Sequence, residues 1–154
     1  MGAAYFYHLT QSGLTQTLAS LIEKSRGAGW RVVVRARSDQ MVDRLDADLW
    51  KGAPEGFLPH GMAGAPFEEE QPVLLTTGMS KPNGASCLMS VEGAMVEAAE
   101  VTDLQRVCVI FDGDDPQAVQ SAREQWKALT AAGCAAQYWS EASGRWSKQA
   151  ESGG

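Results

Sequence analysis

Tyr5-Phe6-Tyr7-His8-Leu9 opens the chain with the aromatic and aliphatic run of a strand, and Leu14, Leu18, Leu21 and Ile22 then recur at helical spacing until Gly27-Ala28-Gly29 stops them. Trp30-Arg31-Val32-Val33-Val34 is β-branched and nearly continuous, as in a strand covered on both faces. Ser38 can cap a second helix carrying Met41, Val42, Leu45 and Leu49. The pattern up to residue 52 predicts β-α-β-α.

Residues 52–72 are rich in Gly and Pro yet hold Phe57, Leu58, Met62 and Phe67, which predicts a long loop whose apolar side chains need cover. Loops of that length in compact domains tend to be functional. Val73-Leu74-Leu75-Thr76 resumes the sheet, Lys81-Pro82-Asn83-Gly84 marks a turn, and Cys87-Leu88-Met89-Ser90-Val91 is a further strand, the pair suggesting a hairpin or a short excursion. Val107-Cys108-Val109-Ile110-Phe111 is the clearest buried strand. Asp115-Pro116 opens a helix with an N-cap acid and proline at its first position, and Gly133 closes it. Gln137-Tyr138-Trp139 makes a last strand. Residues 141–154, rich in Ser, Gly and charge, are expected to form a flexible C-terminal tail behind a domain spanning 1–140. Strands alternating with helices, the strands apolar without polar alternation, predict a single α/β three-layer domain with a mostly parallel central sheet.

With 154 residues and 44% hydrophobic content, the chain can bury a sizeable core. Its net charge of −6 opposes direct nucleic-acid binding, including stacking on its five tryptophans, because aromatic platforms for single strands sit in basic grooves. Nucleic acid would then be met only through other proteins. No apolar run approaches the roughly 20 residues that span a bilayer, and no basic segment leads into an apolar one at the start, so a cytoplasmic protein without membrane contact is expected. Cys87, Cys108 and Cys134 are far apart and lie in or beside apolar runs, the usage of small buried hydrophobes, and no CxxC or CxxH offers a zinc site. Gly13, Gly27, Gly29 and Lys81 form neither GxGxxG nor GxxxxGK[ST], so no cofactor is expected.

The helix after Asp115 carries the most suggestive chemistry. Val119, Ala122, Trp126 and Leu129 form its apolar stripe, with Arg123 and Lys127 beside it at i,i+4, a spacing at which like charges disfavour a helix by a few tenths of a kcal/mol. The plain reading is a solvated edge with snorkelling side chains. The functional one is an anion pocket, with a guanidinium to clamp a carboxylate, an ammonium beside it and an indole as apolar wall.

Ala122-Arg123-Glu124-Gln125-Trp126-Lys127-Ala128, then Ala132-Gly133 and Gln137-Tyr138-Trp139, resembles the chi subunit of bacterial DNA polymerase III, an accessory protein of the clamp loader. Leu45, Leu49, Trp50, Phe57, Pro59, His60, Ala63 and Gly64 match the same family, and Gly144-Arg145-Trp146-Ser147-Lys148 looks like its Gly-x-Trp-x-Lys ending. The resemblance implies a mononucleotide-binding-like fold without a phosphate loop. It also implies that Arg123, Trp126 and Lys127 bind the acidic C-terminal tail of single-stranded DNA-binding protein. Trp50, Phe57, Pro59 and His60 would face the psi subunit, another clamp-loader component or a helicase, and the protein would have no catalytic residue of its own. For Trp50 and Phe57 the plain alternative is core under a long loop.

The rival class is a small hydrolase or phosphotransferase using Asp112, His60 or Cys134. Asp112-Gly113-Asp114-Asp115 follows a buried strand, where α/β proteins often place metal-binding or phospho-accepting acids. Against that, no acidic pair follows the first strand, and Asp115 is already explained as a helix cap.

Overall fold

The computed structural model describes residues 2–11, 13–51, 61–62, 71–79, 81, 83–141 and 145–152, with the backbone alone for 49–51 and 61–62. In chain order the elements are β1 (Ala3–Leu9), α1 (Leu14–Gly27), β2 (Val32–Arg35), α2 (Asp39–Lys51), β3 (Gly61–Met62) and β4 (Val73–Thr76). They continue as β5 (Cys87–Ser90), α3 (Ala98–Asp103), β6 (Arg106–Asp112), α4 (Pro116–Ala131), β7 (Ala136–Ser140) and β8 (Ser147–Ser152). The strands form one eight-stranded sheet in the order β3-β4-β2-β5-β6-β1-β7-β8. Every neighbouring pair is parallel except β7 and β8.

Strand periodicity sorts the core into two layers. Alternate residues point to opposite faces, so Val33, Leu74, Leu88, Val107 and Val109 pack with Val101 of α3 and with Ala122 and Leu129 of α4. Val32, Val34, Leu75, Met89, Cys108 and Ile110 pack with Leu18 and Ile22 of α1 and with Val42 and Leu45 of α2. The sheet is therefore covered on both faces, which explains why its strands read as unbroken apolar runs. The predicted three-layer α/β domain with a mostly parallel sheet is the one observed. All three cysteines are free and buried.

Of the hairpin or short excursion expected from β4 and β5, the hairpin is corrected: the two strands are not adjacent, and each pairs parallel with β2 from opposite sides. The connecting segment crosses the end of β2, where the side chain of Arg35 holds it by donating to the carbonyls of Gly78 (2.9 Å) and Met79 (3.1 Å). Asn83 pins its far end, donating to the carbonyls of Val32 and Gln71. Gly84, at φ +67°, makes the expected turn, its N–H donating to the Lys81 carbonyl.

Where residues 141–154 are expected to be a flexible tail, Ser147–Ser152 instead form β8, antiparallel to β7 from Ala136↔Ser152 to Ser140↔Ser147. Without β8, β7 would present an open row of backbone donors and acceptors. Trp146 anchors the return of the chain, its ring edge-on to Tyr7 at 5.5 Å.

Candidate functional site

Helix α4 begins as its sequence dictates. The Asp115 carboxylate accepts from the N–H groups of Gln117 and Ala118, and Pro116 occupies the first helical position, where its missing N–H costs no hydrogen bond. Gly133, at φ +86°, ends the helix in a left-handed conformation. Ala122 and Leu129 are buried against the sheet, and Val119 and Trp126 pack half-buried against the same core. Arg123 and Lys127 lie one turn apart, both exposed, and neither forms an ion pair with a described residue. Gln125 is committed elsewhere, accepting from the Val96 N–H and donating to the Ala94 carbonyl.

Beneath the two cations lies a group of rings that no local stretch of sequence assembles. Trp126 meets Phe6 edge-on at 5.3 Å and Tyr138 edge-on at 6.0 Å. Tyr138 lies 6.0 Å from Phe111, and its hydroxyl is hydrogen-bonded to His8 Nδ1 at 2.6 Å. The His8 ring leans on Phe111 at 5.1 Å. Parallel register sets this convergence, placing Phe6 opposite Tyr138 on one side of β1 and His8 opposite Phe111 on the other. Burial raises the Tyr138 phenol above its ordinary value, while the nearby charge of Arg123 acts in the opposite direction. The phenol therefore stays protonated near neutrality, and Arg123 stands within electrostatic reach of it. The arrangement offers an apolar, ring-lined floor flanked by two exposed cations, suited to a carboxylate-bearing peptide with an apolar residue beside the charge.

Arg123, Trp126 and Lys127 thus share α4, with Trp126 packed on the ring group and the two cations exposed on either side of it. His8, Phe6 and Phe111 were absent from that reading. Their signal was the period-two alternation that puts Phe6 and His8 on one side of β1, together with the Gln137-Tyr138-Trp139 strand beside it. Trp50 falls near the end of α2, on the other face of the sheet, where its backbone alone is described. Phe57, Pro59 and His60 lie outside the described residues.

Asp112 stands at the carboxyl end of β6, beside a cavity of about 540 Å³ also lined by Glu92, Asp114 and Asp115. Its carboxylate accepts from the Asp114 N–H at 2.9 Å and so closes its own turn. The turn is pressed against β1, the Gly113 N–H donating to the Leu9 carbonyl at 2.7 Å, and a Cβ at Gly113 would overlap the His8 ring. Among the described residues no group of three or more His, Cys, Asp or Glu side chains is placed to hold a metal ion. The acidic run is accounted for as a strand-to-helix turn.

Comparison with known proteins takes in most of the chain. Residues 1–137 match the family described as DNA polymerase III chi subunit, HolC. A probable DNA polymerase III subunit chi from Rickettsia prowazekii (strain Madrid E) is 24% identical over 105 residues, covering 68% of this chain and 62% of that protein. The chain therefore spans less than two thirds of that relative's length. No described helix is long and apolar enough to cross a membrane. With a family match that takes in every element from β1 to α4 and the start of β7, the chain belongs to the DNA polymerase III chi subunit family.

Proposed function

We propose that this protein is a non-catalytic accessory subunit of the polymerase III clamp-loader assembly, and that its α4 face binds the acidic C-terminal tail of single-stranded DNA-binding protein. The observation that carries this reading is the pair of exposed cations, Arg123 and Lys127, neither paired with a described residue, flanking the half-buried ring of Trp126. Arg123 clamps a tail carboxylate, Lys127 adds charge one turn on, and Trp126 with Tyr138 takes the apolar side chain of the peptide.

One charge-assisted pair and one shallow apolar contact give an affinity of roughly micromolar to tens of micromolar. Several tails on one DNA-bound oligomer raise the effective concentration, which suits a contact that forms and releases while strands are copied. The protein would thus work in the cytoplasmic replisome and meet DNA through its partner.

The test is fluorescence anisotropy of a labelled acidic tail peptide titrated with wild type and with Arg123→Ala. The variant should lose about 1.5–3 kcal/mol, the range for a hydrogen bond to a charged group. Unchanged affinity in a folded Arg123→Ala protein refutes the site. The segment with Trp50, Phe57, Pro59 and His60 is the proposed contact with psi, another clamp-loader component or a helicase. Phe57→Ala should weaken pull-down of that partner while peptide anisotropy stays at the wild-type value, and loss of both would refute the division.

A further inference from the structure

On the face of the sheet opposite α4, a cavity of about 550 Å³ opens between α1 and strands β1, β6 and β7, within the size range of small-molecule sites. Five aromatic side chains, Tyr5, Tyr7, Trp30, Trp139 and Trp146, line it on the sheet side, opposite the small and polar residues of α1. Two cations, Lys24 and Arg106, line it as well, and among the described residues no Asp or Glu does. In a chain of net charge −6, a cavity whose described charged lining is positive runs against the whole-molecule balance.

The Arg106 guanidinium is held over the Tyr5 ring at 4.3 Å and near the Trp30 ring at 5.4 Å, with neither a hydrogen bond nor an ion pair to a described residue. An arginine stacked in this way keeps its N–H fork available for an anion. The Tyr7 phenol is raised well above its ordinary value, chiefly by burial, so it remains a neutral wall. Although α1 ends here, its last carbonyls are already bonded: those of Lys24, Ser25 and Arg26 accept from the N–H groups of Ala28, Trp30 and Gly29. The negative end of the helix is therefore largely satisfied before any anion arrives.

We propose that this cavity binds a nucleoside monophosphate, its base against the aromatic walls and its phosphate on Arg106 and Lys24. Two cations, with no acid among the described lining residues, match one phosphomonoester, which carries about −1.5 to −2 near pH 7. A longer strand would need a basic track, and two cations do not make one. The cavity also lies away from the carboxyl ends of the parallel strands, where sheets of this kind usually place nucleotides. It is independent of the α4 face, since Trp139 points to one side of β7 and Tyr138 to the other.

The test is intrinsic tryptophan fluorescence and calorimetry on the full chain, titrated with dCMP and dAMP and, in parallel, with the corresponding nucleosides. A Kd of about 0.1–1 mM is expected for the nucleotides. Nucleosides should bind at least tenfold more weakly, and Lys24→Gln and Arg106→Gln should each weaken nucleotide binding about tenfold, while Arg123→Ala leaves it unchanged. Lys24 is exposed on α1, so its variant tests the site without disturbing the core. Short oligonucleotides with and without a 5′-phosphate distinguish the sources. Displacement of dCMP by the 5′-phosphorylated oligonucleotide alone assigns strand ends, and displacement by neither assigns free nucleotide. Absence of saturable binding overturns the proposal, as does equal affinity for nucleosides or undiminished affinity in the Lys24→Gln variant.

Discussion

The guanidinium of Arg35 meets the carboxylate of Glu100 through two hydrogen bonds, of 2.9 and 2.8 Å, with the two side chains only 1% and 7% exposed. Arg35 comes from β2 and Glu100 from α3, so the pair ties the β4–β5 crossing to the short helix on the same face of the sheet. Lys81 adds a third charge at 2.8 Å from Glu100, and the Glu97 N–H donates to the same carboxylate to complete the capping box of α3. Every donor and acceptor in this group is bound locally, which is what makes a buried ion pair tolerable.

Burial by itself would raise the Glu100 carboxyl, but hydrogen bonds from Arg35 and Lys81 outweigh it and bring the group down from 4.5 to about 2. A depressed carboxyl contributes stability above its unfolded value and loses it as pH falls through the folded one. The contribution, about 3 kcal/mol as an order of magnitude, should be whole above about pH 5 and vanish between about pH 4.5 and 2. Urea melts across that window should show a steeper acid loss for wild type than for Glu100→Gln. At pH 7 the variant should be about 3–5 kcal/mol less stable, because it leaves Arg35 buried without its counter-charge.

Much of the fold was legible because local signals were strong. Apolar residues at helical spacing announce α1 and α4, and Asp115-Pro116 fixes where α4 starts. Ser38 does cap α2, accepting from the Met41 N–H, but it is held in place by the Glu92 carboxylate, which also accepts from the N–H groups of Arg37 and Ser38. No local reading finds a partner so far along the chain. Helix α3 escaped notice because its six residues are too few for a periodicity, and its support is the distant Arg35. Strand β8 escaped because Ser, Lys, Gln and Glu show no alternation, and what recruits them is the open edge of β7. In the site, Arg123, Trp126 and Lys127 share one helix and so could be read together. His8 and Tyr138 are 130 positions apart, and parallel pairing alone unites them.

Gly113 is small for a steric reason. A Cβ there would overlap both the His8 ring and the Leu9 carbonyl, so Gly113→Ala should force the turn after β6 away from β1. Overpacking of this kind costs about 1–3 kcal/mol. The displacement should also disturb the His8–Tyr138 hydrogen bond, visible as shifted His8 ring resonances in NMR spectra. An alanine variant with wild-type stability and unshifted His8 signals would contradict the packing described.

Deleting residues 145–154 should do more than shorten the chain. It removes the Trp146 ring from Tyr7 and exposes the edge of β7. Loss of that apolar contact and of the β7–β8 ladder should lower Tm by about 5–10 °C, taking about 2–3 kcal/mol at roughly 2–4 °C per kcal/mol for a chain of this size. An open edge strand also templates pairing with another copy. Sedimentation of the truncated protein should therefore show concentration-dependent association that the full chain lacks, and a monomeric truncation of unchanged Tm would show that β8 contributes little.

The two cations of α4 should separate in their dependence on salt and on peptide charge. Arg123 lies near the Tyr138 phenol, where a bound peptide excludes water, whereas Lys127 stands one turn further on and acts through longer-range attraction. Contacts between groups that remain in water are screened by salt, and those sealed by a ligand are screened less. Lys127→Gln should therefore cost a few-fold in tail affinity at low salt, and the cost should nearly disappear at high salt. Arg123→Gln should cost at least tenfold at both, since a planar fork bonded to a carboxylate is not replaced by an amide. The peptide should sharpen the distinction: replacing its acidic residues while keeping its terminal carboxylate should abolish the Lys127 effect and preserve the Arg123 effect. Anisotropy titrations of both variants at two ionic strengths, with both peptides, measure all of these terms. Equal salt dependence for the two variants would place both side chains in the solvated rim and leave the ring-lined floor without its clamp.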